Sequence, residues 1–202
     1  MSSLIIFFLK LMRTKYRQYG YSILHRENVS LFRMAYRRGG QRAVNTTIKE
    51  QLRKKYNFAD DEKMLLFAAT LAYEPNAGAL ATIISTIIPL LQKKGFRFRV
   101  IICGSLPPKK ITELNALPCI TAAGFVPSLD DLMQAADVFI NPVVSGSGIQ
   151  TKNIEAIASG CNVVATHFAA TGLPVYLLNE KLFLSANNDW DCLPVISSPL
   201  QL

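Results

Sequence analysis

Five short apolar runs, separated by stretches with helical spacing, constrain this chain more than any other feature. MLLFAA (64–69), FRVIICG (98–104), CITAAGF (119–125), DVFINPVV (137–144) and NVVAT (162–166) are rich in Val, Ile, Leu, Phe and Ala. They read as continuous apolar runs, as parallel strands covered on both faces do. After the first, YEPN leads into GALATIISTIIPLLQKKG, a helix that ends at Gly95 with Lys93 and Lys94 in its last turn, where cations suit the dipole. Pro107 and Pro108 open a second helix through Leu117. Ser128, with Asp131 three residues on, makes a capping box for a short helix to Ala136. A further helix follows the fourth run and stops at Gly160. Strands and helices alternating at this spacing predict an α/β fold built on a doubly wound parallel sheet. The helix before Gly95 is apolar around much of its circumference, so it belongs inside; it is too short for a membrane span, and Pro89 interrupts it. The tail NDWDCLPVISSPLQL reads as a helix beginning at Asp189 and cut short at Pro194.

Charge divides the 202 residues unevenly. The net charge is +8, yet residues 1–57 hold 13 Lys and Arg against two Glu, while the rest holds nine against 12 acids. A basic segment, 1–60, thus precedes a near-neutral domain, 61–202. Such asymmetry suits an anionic partner. SLIIFFLKLM is too short to span a bilayer, and its charges follow the apolar run instead of preceding it as in a signal peptide. Ile5, Phe8, Leu9, Met12 and Tyr16 keep helical spacing, so the segment is expected to be mainly helical, a basic amphipathic element or a helix packed on something else. An anionic membrane surface is the partner expected for it. Nucleic acid has the matching charge, but no nucleic-acid-binding module is recognised. Four cysteines lie far apart with no CxxC pair, which argues against a zinc site or a disulfide framework and fits a reducing, cytoplasmic setting, peripheral to the inner face of the membrane.

The stretch VVSGSGIQTKNIEAIASGCNVVAT (143–166) carries the chemistry. Its glycine turn leaves the carboxyl end of a strand, where ligands of doubly wound sheets sit. Gly146 and Gly148 let the backbone approach a ligand, and the next helix offers unpaired N–H groups. Together these form an anion site. Lys152 in the first helical turn opposes the dipole by roughly 0.3–1 kcal/mol unless an anion shares the site. Glu155 lies one turn on, on the same side, placed to accept hydrogen bonds from sugar or ribose hydroxyls. Ile154, Ile157 and Ala158 are expected to face the core. A nicotinamide fingerprint fits poorly: Thr151 stands where GxGxxG needs its last glycine, and no acid ends the following strand.

With GFVPSLDDLMQAADVFINPVV before it and LLFAATLAYEPN opening the domain, this stretch resembles the donor-binding half of family 4 (group 1) glycosyltransferases over about residues 45–191. The resemblance implies a GT-B enzyme, two Rossmann-like domains with a nucleotide-sugar held between them. It implies that Gly146, Ser147, Gly148 and Ile149 meet the diphosphate through their backbone, that Lys152 is a basic position beside it, and that Glu155 binds the ribose. Phe125 and Val126 match the segment lining the base. The family works without a bound metal or other cofactor, so Asp130 and Asp131 need only their capping role. Ser147 stands where relatives often carry a second glutamate, and Ala69 and Ala169 where they carry glycine.

The function expected is transfer of a sugar from a nucleotide-diphosphate sugar to an acceptor hydroxyl, with retention at the anomeric carbon. Residues 1–57 are too few to build an acceptor domain, and the closing helix is short. The chain therefore reads as a donor domain truncated at its C-terminus, whether as a fragment, a truncated gene product or one half of a split enzyme whose acceptor domain a partner chain supplies, with 1–60 as a remnant of, or linker to, an acceptor domain. No catalytic base is identified. His167 follows a strand's carboxyl end near the sugar, and His25 is remote from the motif. The alternative is a non-catalytic nucleotide- or membrane-binding module derived from such an enzyme, which leaves Lys152 and Glu155 idle.

Overall fold

The computed structural model describes residues 46–173 and 182–185, all within the unit Gly39–Leu202. The amphipathic segment near the N-terminus, His25 and the helix expected from Asp189 lie outside the described residues.

Six parallel strands form one sheet in the order β3-β2-β1-β4-β5-β6. They are β1 (Lys63–Ala68), β2 (Phe98–Cys103), β3 (Ile120–Gly124), β4 (Val138–Asn141), β5 (Asn162–Thr166) and β6 (Leu182–Ser185). The first five are those expected, and β5 keeps the expected bounds; β6 was not anticipated. β1 is buried from Met64 to Ala68 and pairs with β2 on one side and β4 on the other, Leu65 facing Val100 and Val138. β4 ends at Asn141, short of the expected Val144, because Pro142 has no N–H to continue the ladder.

Helices cover the sheet: α1 (Thr46–Lys55), α2 (Glu74–Lys93), α3 (Pro108–Asn115), α4 (Leu129–Ala135) and α5 (Thr151–Ala158). α2 begins earlier than expected, with Pro75 in its first turn. Its 20 residues are long and apolar enough to cross a bilayer, contrary to the expected length. Ala79, Leu80, Ile83, Ile87, Ile88 and Leu91 are buried in the core instead. A π turn, Ile83–Ile87, in which Ile88 N–H donates to Ile83 O, precedes Pro89. The widened turn accommodates a proline that would break a regular helix. Ser128 Oγ accepts the Asp131 N–H at 3.1 Å, capping α4 as the sequence requires.

α1 precedes the 60/61 charge boundary and packs on α4. Lys49 Nζ donates to Asp137 Oδ1 at 2.8 Å, and Arg53 lies 3.5 Å from Oδ2, which also accepts the Met64 N–H at 2.8 Å. Arg99 pairs with Glu62 at 2.8 Å and stacks 4.5 Å over Phe58. Part of the basic character before residue 57 is thus spent inside the fold, away from any anionic partner.

Candidate functional site

The strand order reverses between β1 and β4. Loops leaving these two strands diverge, and a crevice opens at the carboxyl edge. A cavity of about 400 Å³ lies there. The β1–α2 loop contributes Ala69, Thr70 and Tyr73, and the first turn of α2 adds Asn76. β2 ends on it at Cys103 and Gly104; Phe125 and Val126 come from the loop after β3; residues 149–152 bring the N-terminus of α5.

α5 turns Asn153 and Ala156 onto the sheet, not the expected Ile154, Ile157 and Ala158, which are only half-buried. That orientation brings Lys152, one residue before Asn153, over the end of β1. Its Nζ donates to Asn76 Oδ1 at 3.2 Å and lies 3.5 Å from Ala68 O and 5.3 Å from the Phe67 ring centroid. All three partners are neutral, and among the described residues Lys152 pairs with no carboxylate. Burial without a counter-charge pushes its pKa down to about 8. Beside it, the first amides of α5 have no acceptor within the helix. The arrangement is a desolvated cation at a helix N-terminus, suited to a multiply charged anion.

The expected site residues divide into two groups. Ile149, Lys152, Phe125 and Val126 line the cavity, and the Phe125 side chain is 89% exposed at its rim. Gly146, Ser147 and Gly148 form an exposed turn beside the cavity, and Glu155 is exposed one turn further along α5. Gly146 (φ 124°) and Gly148 (φ 76°) both hold backbone that favours glycine. Ile149 packs its side chain against Gly172. Ala69 lines the cavity, whereas Ala169 is fully buried and His167 is exposed outside it.

Sequence reasoning missed three polar residues beneath and across the site. Asn76 is one. The others are Asn141 and Asn153, both fully buried: Asn141 Nδ2 donates to Asn153 Oδ1 at 2.9 Å, and Asn153 Nδ2 to Ala169 O at 2.7 Å. Thr166 Oγ1 joins the layer by donating to Val143 O and accepting the Ala169 N–H. These bonds tie α5, with its N-terminal turn, to the loops after β4 and β5. The only sequence cue was an asparagine at the end of an apolar strand, in FINP.

A family model described as "Glycosyl transferases group 1" matches residues 62–193, well over half of the chain. The chain belongs to the group 1 glycosyl transferases. Its sheet is that of the C-terminal half of a GT-B glycosyltransferase. The solved structures it resembles include HepE from Anabaena in complex with UDP and glucose (TM-score 0.56, 16% identity, 78% of this chain and 45% of that one). Others are a glycosyltransferase from Rickettsia africae (0.54, 17%, 74% and 40%) and an α,α-trehalose 6-phosphate synthase from Burkholderia multivorans (0.56, 15%, 74% and 37%). At these identities the likeness is one of fold. This glycosyl transferase chain spans less than half the length of those structures. No curated protein matches its sequence significantly.

Proposed function

We propose that this domain binds the nucleoside diphosphate of a nucleotide-sugar and serves as the donor half of a retaining glycosyltransferase. The observation that carries the proposal is Lys152: a largely desolvated ammonium with only neutral partners, beside the first turn of α5 in a cavity at the switch point. A diphosphate in that cavity meets the helix amides and the cation together. As the sugar–phosphate bond breaks, negative charge accumulates on the departing diphosphate, and both groups stabilise it more strongly than in the ground state. Glu155 accepts hydrogen bonds from the ribose hydroxyls, and the exposed Phe125 offers a ring against which a base can stack. The turn at 146–149 closes over the phosphates. No resident cofactor enters this scheme. The acceptor hydroxyl and the residues around it come from an acceptor domain, whether on this polypeptide or on a partner chain, working at the cytoplasmic face of a membrane.

A thermal-shift panel of UDP, GDP and ADP with their sugar conjugates tests the proposal. One base is expected to raise the melting temperature, and Glu155→Ala to reduce that rise. A panel in which no nucleotide shifts the transition contradicts it and leaves the non-catalytic alternative.

A further inference from the structure

Asn76 occupies a position that the donor-binding role of Lys152 does not by itself explain. It lies in the first turn of α2, which follows β1, while Lys152 lies in the first turn of α5, which follows β4. Its side chain therefore spans the crevice. Nδ2 donates to Thr70 O at 3.0 Å, fixing the β1–α2 loop, and Oδ1 accepts from Lys152 Nζ at 3.2 Å. A neutral amide is the side chain able to do both. A carboxylate of the same size cannot donate to Thr70 O, and its charge would cancel that of the ammonium. An apolar residue leaves Lys152 with a carbonyl at 3.5 Å and a ring face.

We propose that Asn76 is a positioning residue that holds the Lys152 ammonium in the cavity without neutralising it, keeping the charge available to an incoming diphosphate. This inference rests on the donor-binding role proposed for Lys152. Other ionisable groups on the surrounding elements are Tyr73 in the loop, Cys103 at the end of β2, Glu74 on α2 and Glu155 on α5. Burial pushes the Cys103 thiol up to about 12, so it stays neutral and does not compete for the ammonium.

The test is a double-mutant cycle on the full chain, read by calorimetry, with the tightest-binding of UDP, GDP and ADP as the probe. Asn76→Leu and Lys152→Met are each expected to weaken its binding about tenfold, and the double variant to be no weaker than Lys152→Met alone. Additive losses overturn the proposal. A second arm follows the Lys152 amine by side-chain NMR and needs no nucleotide. Asn76→Ala is expected to lower its titration midpoint further below about 8, because the charged form loses its side-chain acceptor, whereas an asparagine that only fixes the Thr70 loop leaves the midpoint where it is. An unmoved midpoint overturns the proposal, and this arm decides if Asn76→Leu fails to fold. A wild-type chain that binds none of UDP, GDP and ADP overturns the donor-binding role and this inference together. Binding by the wild type with an additive cycle overturns this inference only.

Discussion

The Tyr73 hydroxyl oxygen lies 2.6 Å from where a Cβ on Gly146 would stand. The loop after β1 and the turn after β4 therefore touch across the switch point, where the φ of 124° at Gly146 favours a residue without a side chain.

Gly146→Ala meets an unfavourable φ of 124° and must also displace the Tyr73 hydroxyl, the free end of an exposed side chain, and should destabilise the fold by about 1–3 kcal/mol. Gly148→Ala meets strain alone, with open space around its Cβ, and should lose about 1 kcal/mol. Adding Tyr73→Phe should recover part of the first loss and none of the second. Chemical denaturation of the four variants checks the set.

Lys152→Met should stabilise the unliganded chain by about 1 kcal/mol at pH 7 while weakening nucleotide binding, as sites strained for function do. The folded-state pKa of about 8 lies below the ordinary 10.5, so the folded chain binds fewer protons between those values. Stability of the wild type therefore rises with pH across that window, and the burial penalty is fully present below it. The stability difference between Lys152→Met and wild type should shrink between pH 8 and pH 10. Denaturation of both proteins at the two values measures it.

Nucleotide affinity should depend on pH in the opposite sense. A bound diphosphate favours the charged amine, so affinity falls by up to about tenfold per unit above pH 8, and binding takes up protons there. Calorimetry in two buffers of different ionisation enthalpy detects the uptake, which should vanish in Lys152→Met.

Asn153→Ala should destabilise by about 2–4 kcal/mol, because it leaves the Ala169 carbonyl and the Asn141 amide buried without partners. The midpoint of urea unfolding reports the loss. Glu155→Ala removes only an exposed carboxylate and should leave that midpoint unchanged.

The sheet, and the helix that follows the glycine turn, were legible because strand runs, glycine breaks and helical spacing are local signals. Pattern alone did not mark where β4 ends: Val143 is buried like a strand residue, although the ladder stops two residues earlier. β6 (Leu182–Ser185) escaped notice because its apolar run, LFL, is three residues long, whereas the equally short β4 sits inside the longer run DVFINPVV. The fate of Lys152 was not legible either. The spacing placed it on the same flank as Glu155, but its partner Asn76 lies 76 residues earlier, and only the sheet order brings the two together. Asn153 is a polar residue in an amphipathic stretch, and such residues read as solvent-facing until a buried partner is seen. Lys49 and Arg53 add to the basic count of residues 1–57, yet in the fold both pair with Asp137, 88 residues beyond Lys49.

Calorimetric titration of the tightest-binding of UDP, GDP and ADP against its own nucleoside, on the full chain, is the most direct test of the cationic cradle at the head of α5. The diphosphate is expected to bind at least about a hundredfold more tightly than the nucleoside, because the ammonium and the helix amides together contribute several kcal/mol, and about tenfold of that advantage should disappear in Lys152→Met. Equal affinities for the two, or an advantage untouched by Lys152→Met, contradict it.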